Sequence, residues 1–431
     1  MGDWPEVPLG ELVEVAVGGL WGSETPTLKE DTPVRVIRGI DAHKMSQREA
    51  VELPIRWVSA KQLASRILHV GDVVLEASGA CGRSYVIQGS DIEGEPIPVS
   101  FSNFSRRLIP NARVEPAYLG YRLRQAYESG EISSYVTGTA MPNLDVHSTL
   151  AGISVLLPPL PEQRKIASIL GALDDKIELN RRMNTTLEAM ARAIFQSWFV
   201  DFDPVHAKAD GRQPVGMDAE TAALFPDSFE DSALGPIPKG WQIKPIDEIA
   251  DFLNGLALQK YPVAGERSLP VIKIAQLKNG HDTLRADRCA RRIPEEFVIQ
   301  NGDVLFSWSG SLEVEIWSGG EGALNQHLFK VTSERYPKWF YYLWIITHLE
   351  DFRSIASGKA TTMGHIQRKH LTAAKALVPS HELMVRMHEI LNPIIEQANS
   401  FELQVKELRQ LRDALLPKLL SGELRVGDVA A

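Results

Sequence analysis

The stretch that decides the fold is EQRKIASILGALDDKIELNRRMNTTLEAMARAIFQSWF, at residues 162–199. It contains no proline and a single glycine, Gly171. Apolar residues recur at spacings of three and four over about five heptads, which predicts a helix of about 38 residues carrying a coiled-coil stripe. Asn180 falls on that stripe, where a polar residue lowers stability but fixes the register of the paired helices.

The same pattern recurs near the C-terminal end, and it keeps its phase when the numbering is shifted by 221 residues. We therefore predict two long helices, over residues 158–200 and 379–424, that pair with each other in antiparallel orientation. The alternative, two surface helices packed on separate domains, does not explain the matching phase. Pro393 lacks a backbone donor and is predicted to kink or start the second helix. The predicted seam consists of Ile166, Leu173, Asn180, Leu187, Ile194, Met387, Ile394, Phe401, Leu408 and Leu415.

The rest of the chain also occurs twice in the same order. VGDVVLEASG (70–79) matches NGDVLFSWSG (301–310), and EPAYLGYRL (115–123) matches YPKWFYYLW (336–344). Short apolar or alternating runs separated by Gly, Pro and Asn are typical of strands and turns, so both halves are predicted to be β-rich. The predicted fold class is α+β, with two β-rich domains joined by two long antiparallel coiled-coil helices and an internal pseudo-two-fold repeat.

This organisation predicts five segments. The first domain covers residues 1–157 and is followed by the first long helix over 158–200. The second domain covers residues 240–378 and is followed by the second long helix and the C-terminal tail over 379–424. Residues 201–239 carry 3 Lys and Arg against 8 Asp and Glu and are rich in Pro and Gly. This segment is predicted to be an extended acidic linker with at most one helical turn.

Composition limits the compartment and the partners. The net charge of −9 argues at first against a nucleic-acid partner, but 352–381 contains five Lys and Arg and no acid, so local patches decide the question. Cys81 and Cys289 form no disulfide framework, and the N-terminus lacks the pattern of a secretory signal. No apolar stretch approaches the ~20 residues that span a bilayer. We expect a reduced, cytoplasmic protein.

The sequence lacks the motifs of the common enzyme classes. It has no GxxxxGK[ST] phosphate loop, no GxGxxG, no [DN]PP[YF] turn and no HExxH pair. The D-x-K pairing Asp174-x-Lys176 lies in mid-helix without an upstream acid to complete a metal site. We expect no metal site and no catalytic residues, so binding is the predicted activity.

Two similar modules held by a rigid helical pair suit a partner that itself repeats at a fixed distance. Double-stranded DNA does so every ~34 Å, and Arg, Asn and Gln on loops match the edges of guanine and adenine. Because the modules differ in sequence, their half-sites should differ too. Two alternatives remain open: a DNA-modifying enzyme with a divergent centre, and a scaffold whose two modules bind proteins.

Taken together, these features resemble the specificity subunit of type I restriction-modification systems. The resemblance is carried by LPPLPEQRKIASILGALDDKIELNRRMNTTLEAMARAIFQSWFVDFDPV (157–205) and by its weaker echo at 377–424. GTAMPNLDVHSTL (138–150) and GHIQRKHL (364–371) look like the family's element before each helix. The PPLPEQ signature is eroded in the second half, where Ser380-His381 replace Leu160-Pro161. This change puts equal partner contacts of the two halves in doubt.

The resemblance implies two target recognition domains that read a bipartite, asymmetric DNA sequence. It also implies a complex with two methyltransferase subunits, which methylate adenine, and with restriction subunits, which translocate and cleave DNA. S-adenosylmethionine, ATP and Mg²⁺ are then expected on those partners and not on this chain.

Candidate contact residues follow from loop positions and side-chain chemistry. Glu162, Gln163 and Arg164 are predicted to contact a modification subunit, although they could equally cap and solubilise the helix start. Every candidate DNA contact could instead be a solvated surface residue, and recurrence in both halves favours phosphate contact over base reading. The predicted DNA-binding residues are Ser78, Arg83, Arg106, Arg107, Asn143, Ser309, Lys359, Arg368 and Lys369.

Overall fold

The computed structural model describes residues 4–138, 140–263, 267–280, 283–284, 286–358 and 364–429. The chain divides into two compact units: unit 1 is Met1–Asn180 with Gln404–Ala431, and unit 2 is Arg181–Leu403. Each long helix thus contributes one section to each unit. In the described part of the chain, no helix is both long enough and apolar enough to span a membrane.

Unit 1 contains four small sheets among its described residues. A four-stranded antiparallel sheet has the order β2-β8-β5-β6, and a three-stranded sheet has the order β4-β3-β7 with β3 and β7 parallel. β1 pairs with β11, and β9 pairs with β10. The strands are β1 (Glu6–Pro8), β2 (Val13–Gly18), β3 (Thr32–Ile37), β4 (Ile55–Val58), β5 (Val73–Glu76), β6 (Ser84–Val86), β7 (Val99–Phe101), β8 (Ser105–Pro110), β9 (Val136–Thr137), β10 (Asn143–Leu144) and β11 (Ser154–Leu156).

Unit 2 repeats this topology. Its four-stranded antiparallel sheet has the order β15-β22-β19-β20, and a second sheet has the order β17-β16-β21-β18 with β16 and β21 parallel. β14 pairs with β23 as β1 pairs with β11, and β12 pairs with β13. The strands are β12 (Phe229–Ser232), β13 (Gly235–Pro238), β14 (Gln242–Pro245), β15 (Asp251–Asn254), β16 (Ser268–Ile272), β17 (Arg288–Ala290), β18 (Val298–Ile299), β19 (Val304–Ser307), β20 (Val314–Ile316), β21 (Gly322–Leu324), β22 (Leu328–Thr332) and β23 (Lys375–Val378).

Helices connect and cover these sheets. Two are long, α6 and α14, and Gln196–Val200 extends the first as a π-helical turn. The helices are α1 (Gly39–Ser46), α2 (Ala60–Leu63), α3 (Gly89–Ile92), α4 (Pro116–Glu128), α5 (Val146–Gly152), α6 (Leu160–Phe195), α7 (Asp203–Ala209), α8 (Ala219–Leu224), α9 (Ile246–Ile249), α10 (Ile274–Lys278), α11 (Lys338–Thr347), α12 (Leu349–Ser357), α13 (Arg368–Ala373), α14 (His381–Ser421) and α15 (Val426–Val429).

Local sequence explains two features that the four-stranded sheets of the two units share. β5 and β19 are buried along their whole length, as expected for strands covered on both faces. In each unit the chain passes close to another backbone segment directly after the first strand of the four-stranded sheet, and the residue at this point is a glycine, Gly19 or Gly255. A Cβ at Gly19 would lie 2.1 Å from the carbonyl oxygen of Ser102, and one at Gly255 would lie 2.2 Å from that of Asn325. Only glycine fits at such close approaches of two backbones.

Each unit buries its own sections of the two long helices, which run antiparallel. In unit 1, Ile166 and Leu170 of α6 share a core with Leu416 and Leu419 of α14. In unit 2 a larger aromatic core contains Phe195, Trp198 and Phe199 together with residues of α11 and the first half of α14. The predicted α+β fold with two similar β-rich units and two long antiparallel helices is confirmed.

The helix seam differs in part from the heptad count. Ile166, Asn180, Met387 and Phe401 are buried, whereas the other predicted seam residues are half-buried. The central part is polar: Asn180 is fully buried, and its amide nitrogen donates to Gln404 Oε1 at 3.1 Å. α14 starts at His381 and continues through an exposed Pro393, so Pro393 does not start the helix, and the other predicted alternative, a kink at Pro393, stays a prediction.

The expectation of an extended segment over 201–239 is also wrong. Residues 203–209 and 219–224 are helices, and β12 and β13 form a hairpin. Val205, Phe225 and Ile237 are buried in the aromatic core of unit 2. These apolar residues are widely spaced and give no periodic signal, while the acidic residues between them dominate the composition.

Candidate nucleic-acid interface

The loop that follows β5 is tied to the segment before α5. The Gly79 N–H donates to the Pro142 carbonyl at 3.1 Å, and the Ser78 hydroxyl donates to the side-chain carbonyl of Asn143. Gly79 has a φ of +92°, a conformation that glycine adopts without strain. Asp145 caps α5 by accepting the Ser148 N–H at 3.1 Å, which also lowers the pKa of Asp145. The cap holds the chain just after Asn143 in place.

A second loop completes this surface. The backbone N–H of Ser78 donates at 3.0 Å to the carbonyl of Phe104, whose ring is exposed. Arg106 donates to the carbonyl of Asn103 at 3.3 Å, so its guanidinium lies beside that loop. We call the surface formed by Ser78, Asn103, Phe104, Arg106 and Asn143 the first patch. Three of the sequence-predicted contacts, Ser78, Arg106 and Asn143, are therefore brought together.

Unit 2 builds an equivalent surface from the corresponding loops. Gly310 N–H donates to the Gly364 carbonyl at 2.8 Å, and Ser309 forms a β-bridge with His365 just as Ser78 does with Asn143. Ser309 Oγ lies 2.9 Å from His327 Nδ1 in a hydrogen bond. The predicted Ser309 is itself buried, so it positions the loop and the histidine instead of facing solvent.

An indole ring lies at the centre of this second surface. Trp308 Nε1 donates to Asn254 Oδ1 at 2.9 Å, and its ring lies 5.8 Å from His327 and 6.4 Å from His365. The Gln326 amide is 3.3 Å from the other ring nitrogen of His327. We call the surface formed by Asn254, Trp308, Gln326, His327 and His365 the second patch.

Of the basic residues predicted in unit 2, Arg368 adjoins the second patch. Its guanidinium lies 5.9 Å from the Phe329 ring, which packs 6.1 Å from Trp308, and it donates to the Phe252 carbonyl at 3.1 Å. Lys369 follows it on the exposed start of α13. Lys359 lies outside the described residues.

Two predicted contacts of unit 1 lie elsewhere. Arg107 is buried, and its Nε lies 2.8 Å from Asp72 Oδ2. Arg107 therefore belongs to an internal ion pair and is not available to DNA in this structure. Side chains alternate along β8, so Arg106 faces outward and Arg107 faces inward. Arg83 donates to the Tyr127 hydroxyl at 3.3 Å in a cleft beside α4 that no residue of the first patch lines.

The predicted subunit contacts also separate. Arg164 is exposed and Glu162 is half-buried on the first turns of α6, and Arg164 pairs with Glu115 at 3.1 Å. Gln163 is buried and makes hydrogen bonds to the backbone of Glu115, Arg113 and Pro158, so it anchors the helix within unit 1 and offers no surface to a partner. Trp198 and Phe199 are core residues, as expected.

Sequence reasoning missed all five residues of the second patch and two of the first, Asn103 and Phe104. Asn254, Trp308, Gln326 and His327 carry no motif, and His365 resembled an ordinary surface histidine. The internal repeat was the signal that could have found them, since each aligns with a position beside the first patch. Among the described residues, no group of three or more His, Cys, Asp or Glu is placed to hold a metal ion.

The two patches share a position in the fold but differ in chemistry. Amide, guanidinium and imidazole groups can pair with base edges, and aromatic rings can stack or contact a thymine methyl group. The first patch offers Asn and Arg with one phenyl ring, while the second offers Asn, Gln and two His around an indole.

Comparison with known proteins identifies similar chains over most of this length. A family model described as the type I restriction modification DNA specificity domain matches residues 1–189 and 238–408. The MjaIX specificity subunit of a type I restriction enzyme from Methanocaldococcus jannaschii is 24% identical over 443 residues, covering 99% of this chain and 95% of that protein. The HindI specificity subunit from Haemophilus influenzae is 24% identical over 415 residues, covering 84% and 88%.

A solved structure shares the fold. The crystal structure of the S subunit of a type I restriction-modification system from M. genitalium superposes with a TM-score of 0.58 at 13% identity, covering 97% of this chain and 96% of that one.

Proposed function

Because the chain belongs to the type I restriction-modification DNA specificity domain family, we propose that it reads a bipartite double-stranded DNA target for a restriction-modification complex. The observation that carries this proposal is the pair of patches. Each occurs at the same place in its own unit, on loops fixed by the same backbone bonds, and each presents groups suited to base edges.

The two patches support an asymmetric target. Asn and Arg of the first patch match adenine and guanine edges, whereas the second patch relies on Asn, Gln and His. Two surfaces of different chemistry select different base pairs, so the two half-sites differ in sequence. Arg368 and Lys369 beside the second patch contact phosphates, which position the protein on the duplex without reading sequence.

The chain itself performs no catalysis in this proposal. Two modification subunits methylate adenine within the target and restriction subunits cleave DNA, with S-adenosylmethionine, ATP and Mg²⁺ bound by those partners. Glu162 and Arg164 remain the proposed contacts to a modification subunit. The complex works in the cytoplasm, where its DNA substrate lies.

The test is methylation-aware sequencing of DNA from cells that carry this chain with its modification subunit, compared with cells that lack this chain. The expected result is methyladenine at a split motif that disappears with the chain. Absence of any chain-dependent motif contradicts the proposal.

A binding measurement separates DNA recognition from a protein-binding scaffold. DNA affinity of the complex with its modification subunits should fall steeply between about 50 and 200 mM salt, because bound phosphates release counterions. A complex that fails to bind DNA even at low salt would favour the scaffold.

A further inference from the structure

Unit 1 contains a cleft of about 510 Å³ between α1, β6, α4 and the start of α6. We call it the Arg83 cleft and define it by His43, Arg83, Tyr121, Arg124, Tyr127 and Gly171, which all line it. On one side, Arg48 of the turn after α1 pairs with Asp175 of α6 at 3.1 Å. Its volume lies within the range of small-molecule sites, roughly 300–1,000 Å³. None of the patch residues lines it.

The cleft is lined by four arginines, Arg48, Arg83, Arg124 and Arg164, against three carboxylates, Glu115, Glu128 and Asp174, so its surplus positive charge lies at Arg83. Arg124 already pairs with Glu128 at 2.8 Å, but Arg83 forms no ion pair with a described residue, and its Nε donates to a neutral hydroxyl, that of Tyr127. The pKa of His43 is lowered by burial and then by the positive charges of Arg83 and Arg124. The charge of Arg83 also acts on Glu76, whose pKa it lowers against the larger effect of burial, but Glu76 does not line the cleft. A guanidinium that forms no ion pair within a partly buried cleft favours an anionic ligand.

The wall formed by α6 has spare room at its one glycine. A Cβ built on Gly171 would find no atom closer than the Tyr121 hydroxyl, at 3.9 Å. Packing within the protein therefore does not require glycine there, although glycine in mid-helix costs about 1 kcal/mol relative to alanine. A ligand that lies against this part of α6 would explain why position 171 is a glycine, which has no side chain.

The corresponding place in unit 2 has the opposite charge. A smaller cavity of about 230 Å³ lies between β20, α11 and the long helices and is lined by Glu188, Glu315 and Glu402. Tyr342, which aligns with Tyr121, is on its wall. Burial and the neighbouring carboxylates raise the pKa of Glu315 to about 7, so this cavity disfavours further negative charge.

We propose that the Arg83 cleft binds a mononucleotide-sized organic anion, with a planar ring against the tyrosines and the anionic group at Arg83. Guanidinium groups match phosphate oxygens through two parallel hydrogen bonds. Tyrosine rings stack on nucleobases of any sequence. The acidic cavity of unit 2 excludes the same ligand, so one molecule binds per chain.

The test is isothermal titration calorimetry of the full-length chain with AMP as probe, beside adenosine and inorganic phosphate. AMP should bind at one molecule per chain and saturate below about 1 mM, which is the weak end of specific binding. Arg83→Met should lower that affinity by about 10-fold or more, because a charged hydrogen bond is lost. Gly171→Leu should abolish binding by filling the cleft. Lys176→Ala, on the exposed face of the same helix, is the matched control and should leave AMP binding unchanged.

The remaining outcomes overturn the proposal. They are absence of saturation with AMP, equal binding of adenosine, equal binding of phosphate alone, and two equivalent sites per chain. Loss of AMP binding on adding duplex DNA would place the probe on the DNA surface and would equally overturn it. Circular dichroism checks that each variant is folded. The AMP titration itself needs neither partner subunits nor DNA, and duplex DNA is added only afterwards as a competitor, so failure of the titration leaves the proposed recognition function intact.

Discussion

Breaking the buried ion pair between the two long helices of unit 1 should destabilise that unit far more than removing an exposed pair. Arg412 Nη1 lies 2.6 Å from Asp174 Oδ1, and the two side chains are only 6% and 9% exposed as residues. The other carboxylate oxygen of Asp174 accepts the Tyr121 hydroxyl at 2.8 Å. Burial, followed by the charge of Asp174, raises the pKa of Tyr121, which therefore remains a donor.

The magnitude follows from what each substitution leaves behind. Removing one partner of a buried pair typically costs 3–5 kcal/mol, roughly, because an uncompensated charge remains. Arg412→Met leaves Asp174 with Tyr121 and with Arg124, whose Nη1 is 3.6 Å away, so we expect the lower end, about 3 kcal/mol. In the double variant Asp174→Leu/Arg412→Met no buried charge is left, and its cost should fall short of the sum of the single costs by about 2 kcal/mol.

Hydrogen exchange with mass spectrometry, read on peptides from residues 160–180 and 404–421, measures the opening free energy of this helix pair. The control is Arg113→Met, which removes an exposed 3.5 Å ion pair with Glu11 and should cost less than about 0.5 kcal/mol. If Arg412→Met costs no more than this control, or if the single costs add fully in the double variant, the reasoning is refuted.

Three further predictions concern a glycine, a titrating group and the two patches. Gly255→Ala should unfold or strongly destabilise unit 2, since its Cβ would lie 2.2 Å from a backbone carbonyl oxygen, whereas Gly427→Ala, with nothing within 4 Å, should be neutral in thermal melts. The pKa of Glu315 is about 7 in the fold against 4.5 for an unperturbed glutamate. The folded state therefore holds more protons between these values, and stability should fall as pH rises from about 4.5 to 7, by up to about 3 kcal/mol. In Glu315→Gln, urea midpoints should show a flatter pH profile, and an unchanged profile would assign the slope to other groups. His327→Ala should relax the methylated motif in one half-site and Asn103→Ala in the other, and sequencing that shows both halves altered by either variant would contradict independent patches.

The two long helices could be predicted because the periodic spacing of apolar residues that indicates each of them lies within one continuous stretch of sequence. Over 162–199 the period of 3.6 is interrupted by neither proline nor a glycine pair, and α6 indeed covers most of that range. The seam was harder to predict, because a heptad count assigns residues to the interface by their spacing alone and does not show how deeply each is buried. Leu187 and Ile194 of the predicted seam are only half-buried, and part of the buried interface is polar, with Asn180 bonded to Gln404 of α14.

The candidate site was predictable only as far as the internal repeat reached. Sequence indicated the turn after Ser78 and the turn at Asn143 separately, but their contact joins positions 65 residues apart and needs the fold. Arg107 looked like a phosphate contact because nothing local shows its partner, Asp72, which lies on the neighbouring stretch before β5. In unit 2 the partners of Trp308 come from β15 and from the loop before β22, which no motif links.

The polar groups between the helices of unit 1 bear on register as well as on stability. Asp174 faces Arg412, and Asn180 faces Gln404. Sliding α14 by one heptad would place Asp174 against Val405 or Leu419, both of which are buried apolar residues, and would leave the carboxylate without a countercharge. Apolar seam residues alone tolerate such a slip, because one aliphatic contact replaces another. A slip that brings Asp174 to Leu419 also brings Asn180 to Leu411, so both polar pairs are lost, whereas the opposite slip brings Asn180 to Gln397 and loses only the Asp174–Arg412 pair. The two pairs together therefore select one alignment of α6 and α14 at the expense of some stability, which is the role expected of Asn180 from its seam position.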